Sequence, residues 1–297
     1  MRLFRYKAYG LNIESEFELS ELLRGDGAPS VTIRRGYVPA SLNGSSAGHD
    51  VCQVRPGRYL LRLEGRAHFL VSSGREIRVD QVSGQLSDEA RLYLLGRCFG
   101  VLLHQRNVLA LHASAILSKR GAVLFSGQSG SGKSTILRAF LKRGYQMLAD
   151  DITGITEDSE GRPIALPAYP RIMLGRAAAA ELDVPVGHLR PMPPYVDKFA
   201  ISPNGQFTYE SMPVQKIFAL ATANVPAIEL QPLTPVEAFF ALTEHTFQNC
   251  VLNGLGKRTN HFRLTTRAAN LNVTRATRPV KSTRVNSLVE EIERMII

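Results

Sequence analysis

The sequence predicts an α/β fold: a strand–glycine loop–helix unit over residues 86–297, preceded by a small β-rich N-terminal domain over residues 1–85. Three observations predict it. Short alternating apolar runs crowd the first third of the chain. A glycine-rich loop, "GQSGSGKS", stands between an apolar run and an amphipathic one. One helix later, a second apolar run ends in two aspartates, "MLADD".

In the N-terminal part, "RYLLRLEG", "AHFLVSSG" and "EIRVDQVSG" alternate with the period of strands and are separated by Gly and Ser, which predicts a meander. The polar, glycine-containing "SLNGSSAGHD" (41–50) predicts a loop. Near Ser83–Ser87 the period changes. "LSDEARLYLLGRCFGVLLHQRN" opens on Ser87 with Asp88 and Glu89 in its first turn and then spaces its apolar residues as a helix does. "VLALHASAILSKRGAVLFSG" reads as strand, tight turn, strand. "KSTILRAFLKRG" is an amphipathic helix closed by Gly144, and "YQMLADD" is the next strand. The prolines between Ala165 and Pro213 predict an irregular stretch of the kind that often carries function. "PLTPVEAFFALTEHTF" is a helix with Pro235 and Glu237 in its first turn, and its apolar face, with His245, reads as core. "RVNSLVEEIERMII" is a C-terminal helix.

Gly127, Gln128, Ser129, Gly130, Ser131, Gly132, Lys133 and Ser134 fit GxxxxGK[ST], with Thr135 following. Glycines let backbone N–H groups converge on phosphate oxygens, and the helix that begins here turns its positive end toward them. Lys133 is placed to reach the β- and γ-phosphates, and the Ser134 hydroxyl to serve Mg²⁺. The expected ligands are therefore ATP, or another nucleoside triphosphate, and Mg²⁺. Asp150 and Asp151 end the next strand, where a carboxylate can hold Mg²⁺ opposite Ser134. The short separation and two missing motifs weaken two common alternatives, while a non-catalytic nucleotide-binding regulator and a small-molecule kinase stay open. A transport ATPase places its acidic strand much further on and carries LSGGQ, which is absent here. A switch GTPase needs NKxD after its DxxG; "DITG" is present, NKxD is not.

A strand bearing His112, a turn, the loop 127–134, a helix and "ADD" at 149–151 together resemble the C-terminal catalytic domain of HPr serine kinase/phosphorylase over about Leu94 to Ile155. Phosphoenolpyruvate carboxykinase is a more distant likeness. The resemblance is closer to the short kinases found with lasso-peptide precursors, and extends through "YPRIML", "MPVQKIFAL" and "PAIELQPLTPVEAFFALTEHT". It implies a P-loop kinase domain of HPr kinase/PEP carboxykinase type and an ATP- and Mg²⁺-dependent transfer to a serine hydroxyl of a peptide or small protein. The C-terminal serine of a lasso-peptide precursor is the sharpest form of that acceptor. Where the family carries a glycine-containing EVRG-type segment, this chain has "ALPAYPRIMLGR", and the 1–85 domain is shorter than that of the HPr kinases. A peptide acceptor therefore fits better than HPr. Homo-oligomers are also implied.

The resemblance assigns Asp150 as catalytic base and Asp151 to the metal, with Lys133 and His112 as further catalytic groups. Neighbouring strand residues face opposite ways, so the turn geometry decides between the two aspartates. His112 and Ser114 share one face of their strand, and His112 is expected to orient the base or share its proton. Arg171 in "YPRI" and Lys198 in "VDKF" are candidates to meet phosphate or an acceptor carboxylate.

The composition narrows the setting. The chain has 297 residues and a formal charge of +10, and the excess is concentrated. No Asp or Glu occurs from His245 to Val289, which holds Lys257, Arg258, Arg263, Arg267, Arg275, Arg278, Lys281 and Arg284. Few aromatics interleave and no nucleic-acid motif is visible, so a solvated basic face or an acidic ligand is expected rather than nucleic acid. No apolar run reaches the roughly 18 residues of a membrane span, and no signal peptide is read at the start. The three cysteines, Cys52, Cys98 and Cys250, lack CxxC spacing, as expected for reduced thiols in a cytoplasmic protein.

Overall fold

The computed structural model describes residues 2–44, 51–81, 84–189, 191–193, 197–280 and 285–297. The end of the 41–50 loop, Ser83 at the expected boundary, and Lys281 and Arg284 of the basic segment lie outside the described residues. The chain is mixed α/β with several sheets and divides into two compact units. One comprises 1–110 with 248–263, the other 111–247 with 264–297.

The first unit is built on an eight-stranded sheet. Its strands are β1 (Phe4–Ala8), β2 (Leu11–Ser15), β3 (Leu23–Arg24), β4 (Val31–Arg35), β5 (Cys52–Arg55), β6 (Arg58–Leu63), β7 (Ala67–Ser72) and β8 (Glu76–Asp80), in the order β3-β1-β2-β4-β8-β7-β6-β5. Alternation explains β1: Phe4, Tyr6 and Ala8 point inward and Arg5 and Lys7 outward. The three runs read as a meander are β6, β7 and β8, joined antiparallel. β4 lies parallel to both β2 and β8, a mixed pairing that a meander does not contain. The helical stretch follows as α1 (Asp88–Tyr93), a π-helical turn (Leu94–Cys98) and α2 (Phe99–Gln105). Ser87 caps it by accepting from Ala90 N at 3.2 Å. Among the described residues, Cys52, Cys98 and Cys250 form no disulfide.

A short strand, β9 (Leu109–Leu111), follows α2, and in the second unit β10 (Ala113–Ser118) and β11 (Gly121–Ser126) form a hairpin. β12 (Gln146–Ala149) pairs antiparallel with β10, and β17 (Met212–Ala223) runs parallel to β11 on its other side. β19 (Asn272–Pro279) continues parallel to β17, with β18 (Glu229–Pro232) antiparallel at its edge. The C-terminal ends of β12, β11, β17 and β19 therefore point the same way, and sites gather at such ends. α3 (Lys133–Lys142) covers one face by burying Ile136, Leu137, Phe140 and Leu141. Phe125 stacks on Phe140 and on Phe218, with ring centroids 5.4 and 6.0 Å away. Each buried ring contributes about 1.5–3 kcal/mol. β13 (Thr153–Glu157) and β14 (Pro163–Leu166) form a further hairpin. The proline-rich region is less irregular than its composition predicts. β15 (Ile172–Gly175) and β16 (Lys198–Ile201) pair antiparallel, with α4 (Arg176–Glu181) following β15. α5 (Pro235–Glu244) starts with a capping box between Thr234 and Glu237. α6 (Arg258–Ala269) and α7 (Val285–Arg294) complete the helices described. No helix among the described residues is long and apolar enough to cross a membrane.

Candidate functional site

The site assembles where β11 gives way to α3. Two glycines fix the turn. Gly132 precedes the helix at φ +99°, a left-handed conformation that costs an L-residue about 1–2 kcal/mol. At Gly127 a Cβ would lie 2.5 Å from Ser131 Oγ, so a larger residue there would displace that side chain. Gln128 Nε2 donates to Glu244 Oε1 at 2.5 Å, tying the loop to α5. Ser129 and Gly130 form the exposed crest of the loop. Lys133 folds back under it and donates to the carbonyls of Gly127 and Gln128, both at 2.8 Å. Burial pushes its ammonium down to about 8, against the pull of Asp151 and Asp150.

The aspartates stand in different surroundings. Asp150, 4% exposed, accepts from Ser114 Oγ at 2.6 Å and Ser134 Oγ at 2.9 Å on one oxygen, and from the Met173 amide at 3.0 Å on the other. Burial raises its carboxyl above the ordinary carboxylate range, only partly offset by these donors. Asp151 takes φ +67°, a left-handed turn that swings its side chain away from its neighbour's partners. Its Oδ1 lies 3.5 Å from His112 Nε2, and both side chains are partly exposed, 35% and 24%. Burial acts to raise the Asp151 carboxyl, but His112, Arg171 and Lys133 together hold it below the usual carboxylate range.

His112 sits at the break before β10. Its amide donates to the His245 carbonyl at 2.8 Å and its carbonyl accepts from the Gly127 amide at 3.3 Å. The backbone of this one residue thus joins the loop to the residue that ends α5. His245 is buried, as its reading as core expects, with Nδ1 3.1 Å from Ser126 Oγ; burial pushes its imidazole down to about 4. It also lines a cavity, which the sequence does not signal.

The two weaker candidates come to the same place. Arg171 is buried, donates to Tyr169 Oη at 3.0 Å and acts electrostatically on Asp151. Lys198 begins β16 and acts on Lys133. Ser114 is the functional neighbour the sequence reading passes over, although it shares its strand face with His112 and reaches Asp150.

Two cavities flank the loop, with Gly130 and Ser131 in the wall of both. One, of about 630 Å³, opens on the side of Gln128 and Ser129, between the end of β17 and α5. The other, of about 360 Å³, lies on the side of Gly132, Thr135 and Ile136, and reaches Ile228, Arg278 and Leu288.

The arrangement holds two carboxylates, one buried against hydroxyls and one paired with an imidazole, beside a glycine loop and an ammonium. It can bind a polyanion, hold a hard cation and remove a proton. No family model matches the chain, and no curated protein matches it. Among solved structures it is similar to the Hpr(Ser) kinase/phosphatase from Coxiella burnetii, with a TM-score of 0.32 and 14% identity, covering 63% of this chain and 91% of that one.

Proposed function

We propose that the protein is an ATP- and Mg²⁺-dependent serine kinase acting on a peptide or small protein. The observation that carries this reading is the division of labour between the aspartates: Asp150 bonded to Ser134, Asp151 paired with His112. The roles are the reverse of those the resemblance assigns. Asp150 and Ser134 offer two hard oxygen donors 2.9 Å apart at the loop mouth, and Mg²⁺ is commonly held by one or two protein oxygens together with substrate phosphates. They fit the ion, which when bound neutralises phosphate charge. Asp151, more exposed and held ionised by His112, is the base.

The chain's residues then act as follows. The Lys133 ammonium and the loop amides, apart from that of Ser131, which donates to the Gln128 carbonyl, would hold the donor's phosphates, with the smaller cavity beside Thr135 open to the nucleoside. Asp151 accepts the proton of the acceptor hydroxyl as that oxygen bonds to the γ-phosphorus and the bond to the β–γ bridging oxygen breaks. The nucleoside diphosphate carries the displaced negative charge. His112 holds Asp151 in place, and Arg171 keeps its charge from being quenched. The sharpest form of the acceptor is the C-terminal serine of a lasso-peptide precursor.

The test is incubation with γ-labelled ATP, Mg²⁺ and a panel of serine peptides, some ending in serine, read by mass spectrometry. Phosphoserine formed by the wild type and lost in Asp151→Asn is expected. ATP hydrolysis without transfer to any peptide, unchanged in Asp151→Asn, would overturn the reading in favour of a nucleotide-binding regulator.

A further inference from the structure

The larger cavity is not needed by the donor. If its phosphates lie over Lys133 and its nucleoside leaves past Thr135, the cavity beside Gln128 and Ser129 remains open on the other flank of the loop. Asp151 and His112 do not line it, but it adjoins their side of the loop through His245. His245 lines it, and the His245 carbonyl holds the amide of His112, whose ring contacts Asp151. Its chemistry is distinctive for a chain of formal charge +10. Phe240, on α5, is 66% exposed and presents an aromatic ring to the cavity. Glu237 and Glu244 stand one turn to either side of it on the same helix. Arg275 also lines the cavity and acts on the charge of Glu237, whose carboxylate already accepts from Thr234, so Glu244 is the carboxylate left beside the ring. The hydrogen bond of Glu244 is to the neutral amide of Gln128, so its negative charge is retained at the loop edge.

An aromatic face beside a carboxylate is a receptor for a cation: the ring attracts it through its quadrupole and the carboxylate through charge. We infer that this cavity seats the residues flanking the acceptor serine and selects acceptors that carry a lysine or arginine there. This rests on the kinase reading above and adds the acceptor's character to it. An acidic substrate, which the overall charge favours at long range, is disfavoured at this one position.

The test uses the whole chain and serine peptides that differ only in one flanking residue, Lys, Arg, Ala or Glu. Binding is read by fluorescence anisotropy on nucleotide-free protein, and KM is read separately in the transfer assay. The basic peptides are expected to bind about tenfold more tightly than the alanine peptide, the yield of one cation–aromatic and one charge contact. That preference is expected to collapse in Phe240→Ala and Glu244→Gln. Both side chains are exposed, so the variants should keep the wild-type Tm. A preference unchanged in both variants overturns the inference, as does Phe240→Ala weakening a non-hydrolysable ATP analogue instead of the peptide. The two readings fail separately. Selective binding without transfer sinks the kinase and leaves the cavity. Transfer without selectivity does the opposite, and neither binding nor transfer sinks both.

Discussion

Ser134 and Asp150 share a hydrogen bond of 2.9 Å across the mouth of the glycine loop, although sixteen positions separate them in the chain. The bond favours the charged form of a carboxylate that burial makes costly to keep charged, and burial prevails. The carboxyl's value is raised by burial above the ordinary 3.8. Stability from this group is therefore complete below the unfolded value and is lost as pH rises through the folded one.

At neutral pH Asp150 thus weakens the nucleotide-free fold. Asp150→Asn is expected to raise Tm at pH 7 by about 2–4 °C, the effect of about 1 kcal/mol in a protein of this size. The same change should lower the transfer rate about 100-fold or more, as loss of a fixed charge contact in such sites does. Calorimetry and a kinase assay on one preparation check both.

Asp151 responds in the opposite sense. Burial would raise it, but His112 and the neighbouring cations hold it below 3.8. Stability from this group is present above the unfolded value and lost as pH falls through the folded one. In His112→Gln the acidic limb of the kcat/KM profile should move to higher pH, because the carboxyl loses its principal partner. In Asp151→Asn, kcat should fall about 10²- to 10⁴-fold with nucleotide affinity retained. A pH–rate series with titration calorimetry separates the two.

Lys133 titrates near 8 in the free protein. Phosphate favours its charged form, so nucleotide binding at pH 8 should take up a proton. Binding heats measured in buffers of different ionisation enthalpy will show this uptake, and Lys133→Met should abolish it.

The loop glycines make a backbone prediction. Gly132→Ala should cost about 1–2 kcal/mol for its positive φ. Gly127→Ala should displace Ser131 and weaken nucleotide binding even where Tm is little changed. Thermal melts with and without an ATP analogue distinguish the two effects.

Local pattern made much of this legible. The helix over 133–142, the strand before it and the aspartates after it follow from motif and period, because each needs only its near neighbours in sequence. What period cannot carry is the direction of a side chain at a turn. Asp151 adopts a left-handed conformation, so two adjacent residues meet different partners, Ser134 and His112, and neither alternation nor resemblance assigns them. Ser114 shares a strand face with His112, yet its bond to Asp150 becomes visible only when β12 is laid beside β10. Long-range returns were likewise illegible: residues 248–263 belong with the first unit, and nothing in their composition marks the crossing. Prolines misled between 165 and 213, because they punctuate β15, α4 and β16 rather than replacing them.

The two carbonyls that receive the Lys133 ammonium are those of Gly127 and Gln128, in the very loop that would surround a triphosphate. The ammonium is thereby satisfied by the loop's own backbone. An arriving phosphate does not find a free charge; it must outbid two oxygens already in place, and on departure those oxygens reclaim the lysine. On the kinase reading, donor binding at this loop is an exchange of one set of oxygens for another.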